Sequence, residues 1–465
     1  MASLTNGDAS HPVVFTTQTP YPLPAQKFMI PASWKRYQLS QLVNKALSLP
    51  KPLPFDFLVR GEILRGTLGE WCAEKGVGEE ETLDIEYFES VMPPQKMSSL
   101  PHEDWVASIS CQTPGYFFTA SYDGSLRVFD YSQKLLHTSA AHTAAATSLR
   151  VVPGSSAGKY LVVSSSHDLT ARLTEISLPS SDAPESTQPS SRTLASLHLH
   201  TAPLSSVAAD VSGARILTAS WDSLIGIWDT EIPDTDEVPL EDVQGEGLER
   251  KKRRKVAETE NAPRPKRKAP RGVLRSHTMR VSRVVFGRDN DGRTAYSCGF
   301  DSTVRTWDIE NEVCTSTITA SSKPFLDLAL TPSGNSALAA SSDRTVSQYD
   351  LRAATSSALA PSVATLMHPA TPSCIAVPPA DASASATSSS SEHQLLTGAY
   401  DGVVRLWDLR STKSAVTAFK VWEDKPATAR KVLSVDWAKG VVGVAGEGGV
   451  EVWRVGQGDR PFPSS

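Results

Sequence analysis

The stretch GAYDGVVRLWD at residues 398–408 decides the fold. Small residues close one segment, Asp401 opens a tight turn, and an alternating apolar run ends on Trp407-Asp408. The pattern recurs as ASYDGSLRVFD at 120–130, SSHDLTARLTE at 165–175, ASWDSLIGIWD at 219–229 and CGFDSTVRTWD at 298–308. SSDRTVSQYD follows at 341–350, and a worn copy, AGEGGVEVWR, lies at 445–454. The turn acids are Asp123, Asp168, Asp222, Asp301, Asp343 and Asp401, with Glu447 in the last copy; the successive intervals are 45, 54, 79, 42, 58 and 46 residues.

A base period in the low forties is that of the WD repeat, in which each copy builds one four-stranded blade. The Asp begins a turn in which its carboxylate can accept backbone N–H groups, and the next strand alternates inward and outward residues. Seven copies predict a seven-bladed β-propeller closed into a ring, which leaves few sheet edges exposed. The chain after Arg454, VGQGDRPFPSS, is a poor strand. Blade seven therefore needs an outer strand from elsewhere, and residues 94–102 are expected to supply it and offset the entropy of ring closure. His102, His142, His200 and His277 precede Asp123, Asp168, Asp222 and Asp301 by 21 to 26 residues. One His–Asp pair per blade is expected to be structural, because a catalytic pair would be needed once. Three copies depart from the pattern: blade two ends in Leu173-Thr174-Glu175, blade five lacks the upstream His, and blade seven has Glu447 for Asp.

Three insertions lengthen the repeat. Residues 178–192, rich in Ser and Pro, and 379–391, rich in Ala and Ser, read as disordered surface loops. The third, about 231–272, is expected to be a disordered charged insertion: acidic at first, with Glu231, Asp234, Asp236, Glu237, Glu241 and Asp242, then basic. Its basic clusters are Lys251, Lys252, Arg253, Arg254 and Lys255, then PRPKRK at 263–268 with Lys266, Arg267 and Lys268. Two such clusters read as a bipartite nuclear-import signal, as an RNA contact through phosphates, or as a solvated charged loop.

The first 91 residues read differently, with a domain expected over 12–91 and the propeller over 92–465. VVFTTQ at 13–18 and KFMIP at 27–31 read as strands. RYQLSQLVNKALSL places Leu39, Leu42, Val43, Ala46 and Leu47 on one helical face, with Pro50 as the stop. PFDFLV at 54–59 and EILR at 62–65 read as strands, Thr67 and Glu70 as a capping box, and TLDIEYF at 82–88 as a closing strand. The order β-β-α-β-β-α-β predicts a small α+β ubiquitin-like β-grasp, and MPPQ at 92–95 reads as a linker.

Composition narrows the function. A net charge of −5 gives no overall steering toward nucleic acid. The five widely spaced cysteines contain no CxxC pair and are expected to be reduced intracellular thiols, Cys72 on a helix and the others in or beside strands. No signal peptide, membrane span, GxSxG, P-loop or HExxH pattern is found. No catalytic residue and no cofactor are expected.

The string YQLSQLVN…PFDFLVRGEILRGTL…ETLDIEYFESVMPP…HEDWVASI resembles the eukaryotic WD-repeat protein 12 family, called YTM in fungi. The resemblance spans both domains, its N-terminal part being the NLE type of ubiquitin-like domain. It implies a non-catalytic scaffold in maturation of the large (60S) ribosomal subunit and its ribosomal RNA. It also implies residence in nucleus, nucleolus and nucleoplasm, with no membrane partner. The implied partners are a block-of-proliferation-type WD protein met by the propeller, a Pescadillo-type protein in the same trimer, and the pre-ribosome. The AAA ATPase midasin would grip the ubiquitin-like domain and remove the trimer. Alignment on the closing LDIEY places at Glu80 the acid that would complete the metal of midasin's adhesion site. Glu79 and Glu81 flank it in the same run, and on the residues alone all three read as a solvated turn. A competing reading is a substrate receptor of a cullin ubiquitin ligase, hooked by Trp407-Asp408-Leu409-Arg410 and, more weakly, by Tyr349-Asp350-Leu351-Arg352.

Overall fold

A computed structural model describes residues 9–48, 52–90, 92–154, 158–179, 188–238, 264–288, 291–319, 322–352, 362–379 and 393–456. The N-terminal domain runs β1 (Ser10–Thr16), β2 (Lys27–Pro31), α1 (Arg36–Leu47), β3 (Phe55–Val59), β4 (Glu62–Ile63), α2 (Leu68–Lys75) and β5 (Leu83–Glu89). The sheet order is β2-β1-β5-β3-β4, with β1 and β5 parallel and the other neighbours antiparallel. Period-two alternation turns Val13 and Phe15 of β1 inward onto Leu39 and Val43 of α1 and onto Leu68, Trp71 and Cys72 of α2. Two expectations for α1 are corrected. Ala46 is exposed, because the helix turns its Leu39–Val43 face to the sheet. The helix also stops before Pro50, at Ser48, whose left-handed backbone (φ 50°) returns its N–H to the carbonyls of Asn44 and Lys45. The capping box of α2 forms as expected: Glu70 N–H donates to Thr67 Oγ1 (3.1 Å) and Thr67 N–H to Glu70 Oε2 (2.9 Å).

Seven further sheets form the propeller, spanning 106–139, 146–197, 204–229, 281–319, 325–367, 372–420 and 432–456. Apolar residues of neighbouring blades interlock in seven clusters, one per gap. The gap between blades seven and one is filled by Val106, Ile109, Phe117 and Phe129 against Val441, Ala445, Val450 and Val452. Gly443 lies at this seam, where a side chain would meet Ile109 Cδ1 at 2.5 Å.

The outer strand of blade seven is β6 (Met92–Leu100), antiparallel to Gly449–Gly456 in the register Val450↔Leu100 to Gly456↔Met92. The expected clasp is therefore present, shifted two residues toward the N-terminus. The linker expected at 92–95 is corrected: those residues lie in the strand. Pro93 and Pro94 lack an N–H, and an outer edge is where a strand tolerates them. Only residues 90 and 91 separate β5 from β6.

Two loop expectations are also corrected. Ser190–Leu197 is the outer strand of blade two, so the Ser/Pro insertion ends earlier than 192, and residues 180–187 lie outside the described residues. Within 231–272, Lys266–Lys268 is a strand paired in parallel with Ser190–Leu197, and Gly272–Arg275 is the outer strand of blade three. These segments are ordered because blade edges offer them backbone partners. Residues 239–263 and 380–392 lie outside the described residues.

The N-terminal domain rests against the 409–416 segment of blade six. Arg65 Nη2 donates to the carbonyls of Ala415 (2.7 Å) and Ser414 (3.1 Å). Lys413 Nζ lies 3.4 Å from Glu62 and 3.2 Å from Glu74. Arg410 reaches Glu86 Oε1 at 3.5 Å and stacks over the Phe88 ring at 4.7 Å.

Candidate functional site

The turn acids build the blade frame. Asp222 Oδ1 accepts the Leu224 N–H (2.9 Å), and Oδ2 meets His200 Nδ1 (2.9 Å). His200 Nε2 contacts Thr218 Oγ1 (2.9 Å), which also accepts Trp228 Nε1–H (2.9 Å). Asp301, His277, Ser297 and Trp307 repeat this chain in blade four. Asp168, His142 and Ser164 form it in blade two without a Trp, since Thr174 occupies that place. Burial would raise the Asp301 carboxyl, but His277 outweighs it with help from Thr303 and Thr278, holding it at about 2. The same contest, won by the His partner, lowers Asp168 and Asp222. The imidazoles of all three pairs are buried.

The His102–Asp123 pair expected in blade one does not form. His102 Nδ1 meets the Leu100 carbonyl (3.1 Å) and Nε2 meets Thr119 Oγ1 (2.9 Å), while Asp123 binds Arg127 and the Ser125 N–H. Arg127, four residues on, takes the carboxylate instead, whereas in blades two and four Asp168 and Asp301 keep their His with Arg172 and Arg305 at the same spacing. Blade six follows the same plan. His368 bridges the Leu366 carbonyl and Thr397, Trp407 Nε1 donates to Thr397 Oγ1, and Asp401 pairs with Arg405. Sequence reasoning missed His368 because the Ala/Ser insertion stretches its separation from Asp401 to 33 residues. Counting back from Trp407 to Thr397 would have pointed to it. Asp343 accepts the Thr345 N–H (3.0 Å), and Glu447 pairs with Lys431 (3.0 Å).

The acidic turn lies at the far end of α2. Gly76, at φ +67°, ends the helix, and the Glu81 N–H closes a turn on the Gly78 carbonyl (3.3 Å). All three glutamates are exposed. The Glu81 carboxylate is ion-paired with Arg60, which sits in the left-handed region (φ 49°) at the β3–β4 turn. Glu79 and Glu80 have no ion pair among the described residues. No three His, Cys, Asp or Glu side chains gather into a metal site among the described residues. Glu80 can thus offer one hard oxygen ligand to a metal held by another molecule.

The basic residues separate. Lys251, Lys252, Arg253, Arg254 and Lys255 lie outside the described residues. Lys266, Arg267 and Lys268 are in the added strand of blade two, and Lys268 is buried with its Nζ on the Glu231 carbonyl. Arg410 of the WDLR string is held by Asp408 (2.8 Å) as well as by Glu86 and Phe88, so the ligase hook is occupied from within. The five thiols are unpaired and all but Cys314 are buried; burial pushes Cys374 up to about 12.

Comparison with known proteins agrees with this architecture. The NLE (NUC135) domain matches residues 12–72. The WD domain, G-beta repeat, matches 95–130, 191–229, 268–308, 312–350 and 364–408. The repeats left unmatched belong to blades two and seven, whose copies end in Thr174-Glu175 and Trp453-Arg454 in place of an aromatic residue followed by Asp. Over 452 residues the chain is 59% identical to ribosome biogenesis protein YTM1 of Laccaria bicolor, covering 96% of this chain and 95% of the relative. The chain belongs to the YTM1 family of ribosome biogenesis proteins. The YTM1 protein of Coprinopsis cinerea is 54% identical over 96% of this chain and 94% of its own length. That of Saccharomyces cerevisiae is 32% identical over 93% of each. The resemblance read from YQLSQLVN and PFDFLVRGEILRGTL is thereby established.

Proposed function

We propose that the protein is a non-catalytic scaffold in maturation of the large ribosomal subunit and its ribosomal RNA, working in the nucleolus and nucleoplasm. In this reading the propeller holds a block-of-proliferation-type WD protein within a trimer that includes a Pescadillo-type protein. Midasin grips the N-terminal domain and removes the trimer from pre-ribosomes. The observation that carries the reading is the Glu79–Glu80 turn: exposed acids between α2 and β5 of the β-grasp, with the neighbouring Glu81 held back by Arg60. Glu80 supplies the carboxylate that completes the coordination of a metal in the partner's adhesion site.

The test is a pull-down of the full chain by the adhesion-site domain of midasin with and without magnesium. Glu80→Ala abolishes metal-dependent capture and leaves trimer assembly intact, whereas Glu81→Ala retains capture. Capture lost in Glu79→Ala but kept in Glu80→Ala would move the ligand by one residue. Undiminished capture in both variants would overturn the reading.

A further inference from the structure

Blade two is the one propeller sheet with a fifth strand among the described residues. That strand, Lys266–Lys268, lies in register Ala195↔Lys266, Ser196↔Arg267 and Leu197↔Lys268. Beside it opens a cavity of about 260 Å³ lined by Thr170, Arg172, Ser196, His198, Arg264 and Arg267, with one proline. No carboxylate lines it among the described residues. Asp168 and Asp236 stand at its margins, 3.6 Å from Arg172 Nη2 and 3.9 Å from Arg264 Nη2.

Arg172 and Arg264 have Asp168 and Asp236 as partners outside the lining, so within the concavity itself the formal charge is positive and a bound anion is attracted. Arg172 is braced by the Ala141 carbonyl through Nη1, yet its Nε is buried without an acceptor among the described residues. A buried N–H left unpaired is costly unless a ligand completes it. Burial, then the nearby Arg267, Arg172 and Arg264, depress the His198 imidazole below its ordinary range. Ser196 Oγ contacts His198 Nε2 at 2.9 Å, and Thr170 adds a second hydroxyl to the wall.

We propose that this pocket binds phosphates of an RNA backbone. Arg, Ser and Thr are the side chains that hold phosphate oxygens, and a guanidinium does so with paired N–H groups. A phosphopeptide site also needs apolar subsites for flanking side chains, and this lining has only a proline. No Phe, Tyr or Trp lines the pocket to stack bases, so recognition is independent of sequence and sensitive to salt. The choice of RNA rests on membership in a ribosome biogenesis family and not on the trimer or on capture by midasin.

The test uses the full chain with Lys251, Lys252, Arg253, Arg254 and Lys255 all changed to alanine, so that this neighbouring run contributes nothing. Fluorescein-labelled oligouridylate is titrated by anisotropy across about 50 to 200 mM salt. Arg264→Gln with Arg267→Gln weakens binding roughly tenfold and lowers the slope of log K against log salt by about 1.4, about 0.7 per lost phosphate contact. Arg264→Lys with Arg267→Lys keeps most of that slope. A readout that needs no such variant is the His198 resonance in NMR, whose titration moves to higher pH when oligouridylate fills the pocket. Unchanged affinity and slope in the glutamine variant, or a His198 resonance unmoved at saturation, would overturn the proposal. So would binding of a phosphoserine peptide by a chain that ignores oligouridylate.

Discussion

Lys96 Nζ is ion-paired with Glu451 Oε1 across 355 residues of sequence, tying β6 to the last strand of the ring. Lys96 is half-exposed, but Glu451 is buried and also accepts the Trp422 N–H (3.2 Å) and Trp453 Nε1–H (3.1 Å). Glu451→Ala strands all three donors and should cost about 3 kcal/mol. Lys96→Ala should cost only about 1 kcal/mol, because water screens the exposed ammonium. Urea unfolding of the two variants decides: equal losses would show that the backbone ladder alone closes the ring.

The Asp–His–Thr–Trp chains predict a difference between blades. Thr218 serves both His200 and Trp228, whereas Ser164 serves His142 with no Trp beside it. Thr218→Val should therefore destabilise the chain by about 1 kcal/mol more than Ser164→Ala, one further buried hydrogen bond being lost. Thermal unfolding of both single variants measures the gap.

Acid should weaken the fold in two stages. Burial holds His102 and His368 at about 4, below the ordinary 6.5. Between those values the unfolded chain binds protons that the folded chain refuses, so stability falls as pH drops from 6.5 toward 4. Asp301, held at about 2 against an ordinary 3.8, and Asp222, also lowered, keep their contribution until the pH passes below 3.8. In a pH series of melting temperatures, His102→Gln with His368→Gln should flatten the upper stage and leave the lower one. A slope unchanged by that pair of substitutions would assign the upper stage to other groups.

Domain seating should be separable from stability. Glu86→Ala with Lys413→Ala removes the Lys413 pairs, with Lys413 itself exposed, and the partly buried Glu86–Arg410 pair at a long 3.5 Å, each worth about 1 kcal/mol or less. The melting temperature should hardly move. Hydrogen exchange at 409–416 should rise several-fold as the N-terminal domain lifts from blade six. Arg410→Ala is a different experiment, because it leaves the buried Asp408 carboxylate without its guanidinium.

Import should depend on the first basic cluster alone. Lys266–Lys268 is committed to a sheet and Lys268 is buried, so a receptor that reads extended chain cannot take that segment without unpairing it. Changing Lys251, Lys252, Arg253, Arg254 and Lys255 to alanine should shift a fluorescent fusion to the cytoplasm. Lys266→Ala should not. Loss of import in Lys266→Ala as well would restore the bipartite reading.

Much of this was legible in the sequence because repeats advertise themselves. Seven turn acids announced seven blades, and the poor strand after Arg454 announced that β6 must come from upstream. The β-grasp order followed from local periodicity and one capping box. What sequence could not carry was competition between partners for one group. Asp123 chooses Arg127 over His102, and nothing in the spacing of 21 residues forecasts that. Proline pairs read as linkers until an outer edge excuses their missing N–H, which is why β6 appeared to start later than Met92. The pocket on blade two was invisible because Arg172 and Arg267 are far apart in the chain and adjacent only once a blade edge captures a distant segment.

The brevity of the join between β5 and β6 has a mechanical corollary. Any tug on the N-terminal domain arrives at Met92, the end of the ladder where Gly456 is its partner. Traction directed off that rim would unzip backbone pairs one by one instead of loading them together. The seat on blade six, through Arg65, Lys413 and Arg410, gives the strain a second route into the toroid. A handle so joined hauls the whole ring along only while that seat stays closed; once it lifts, the same effort is spent prising open the seam.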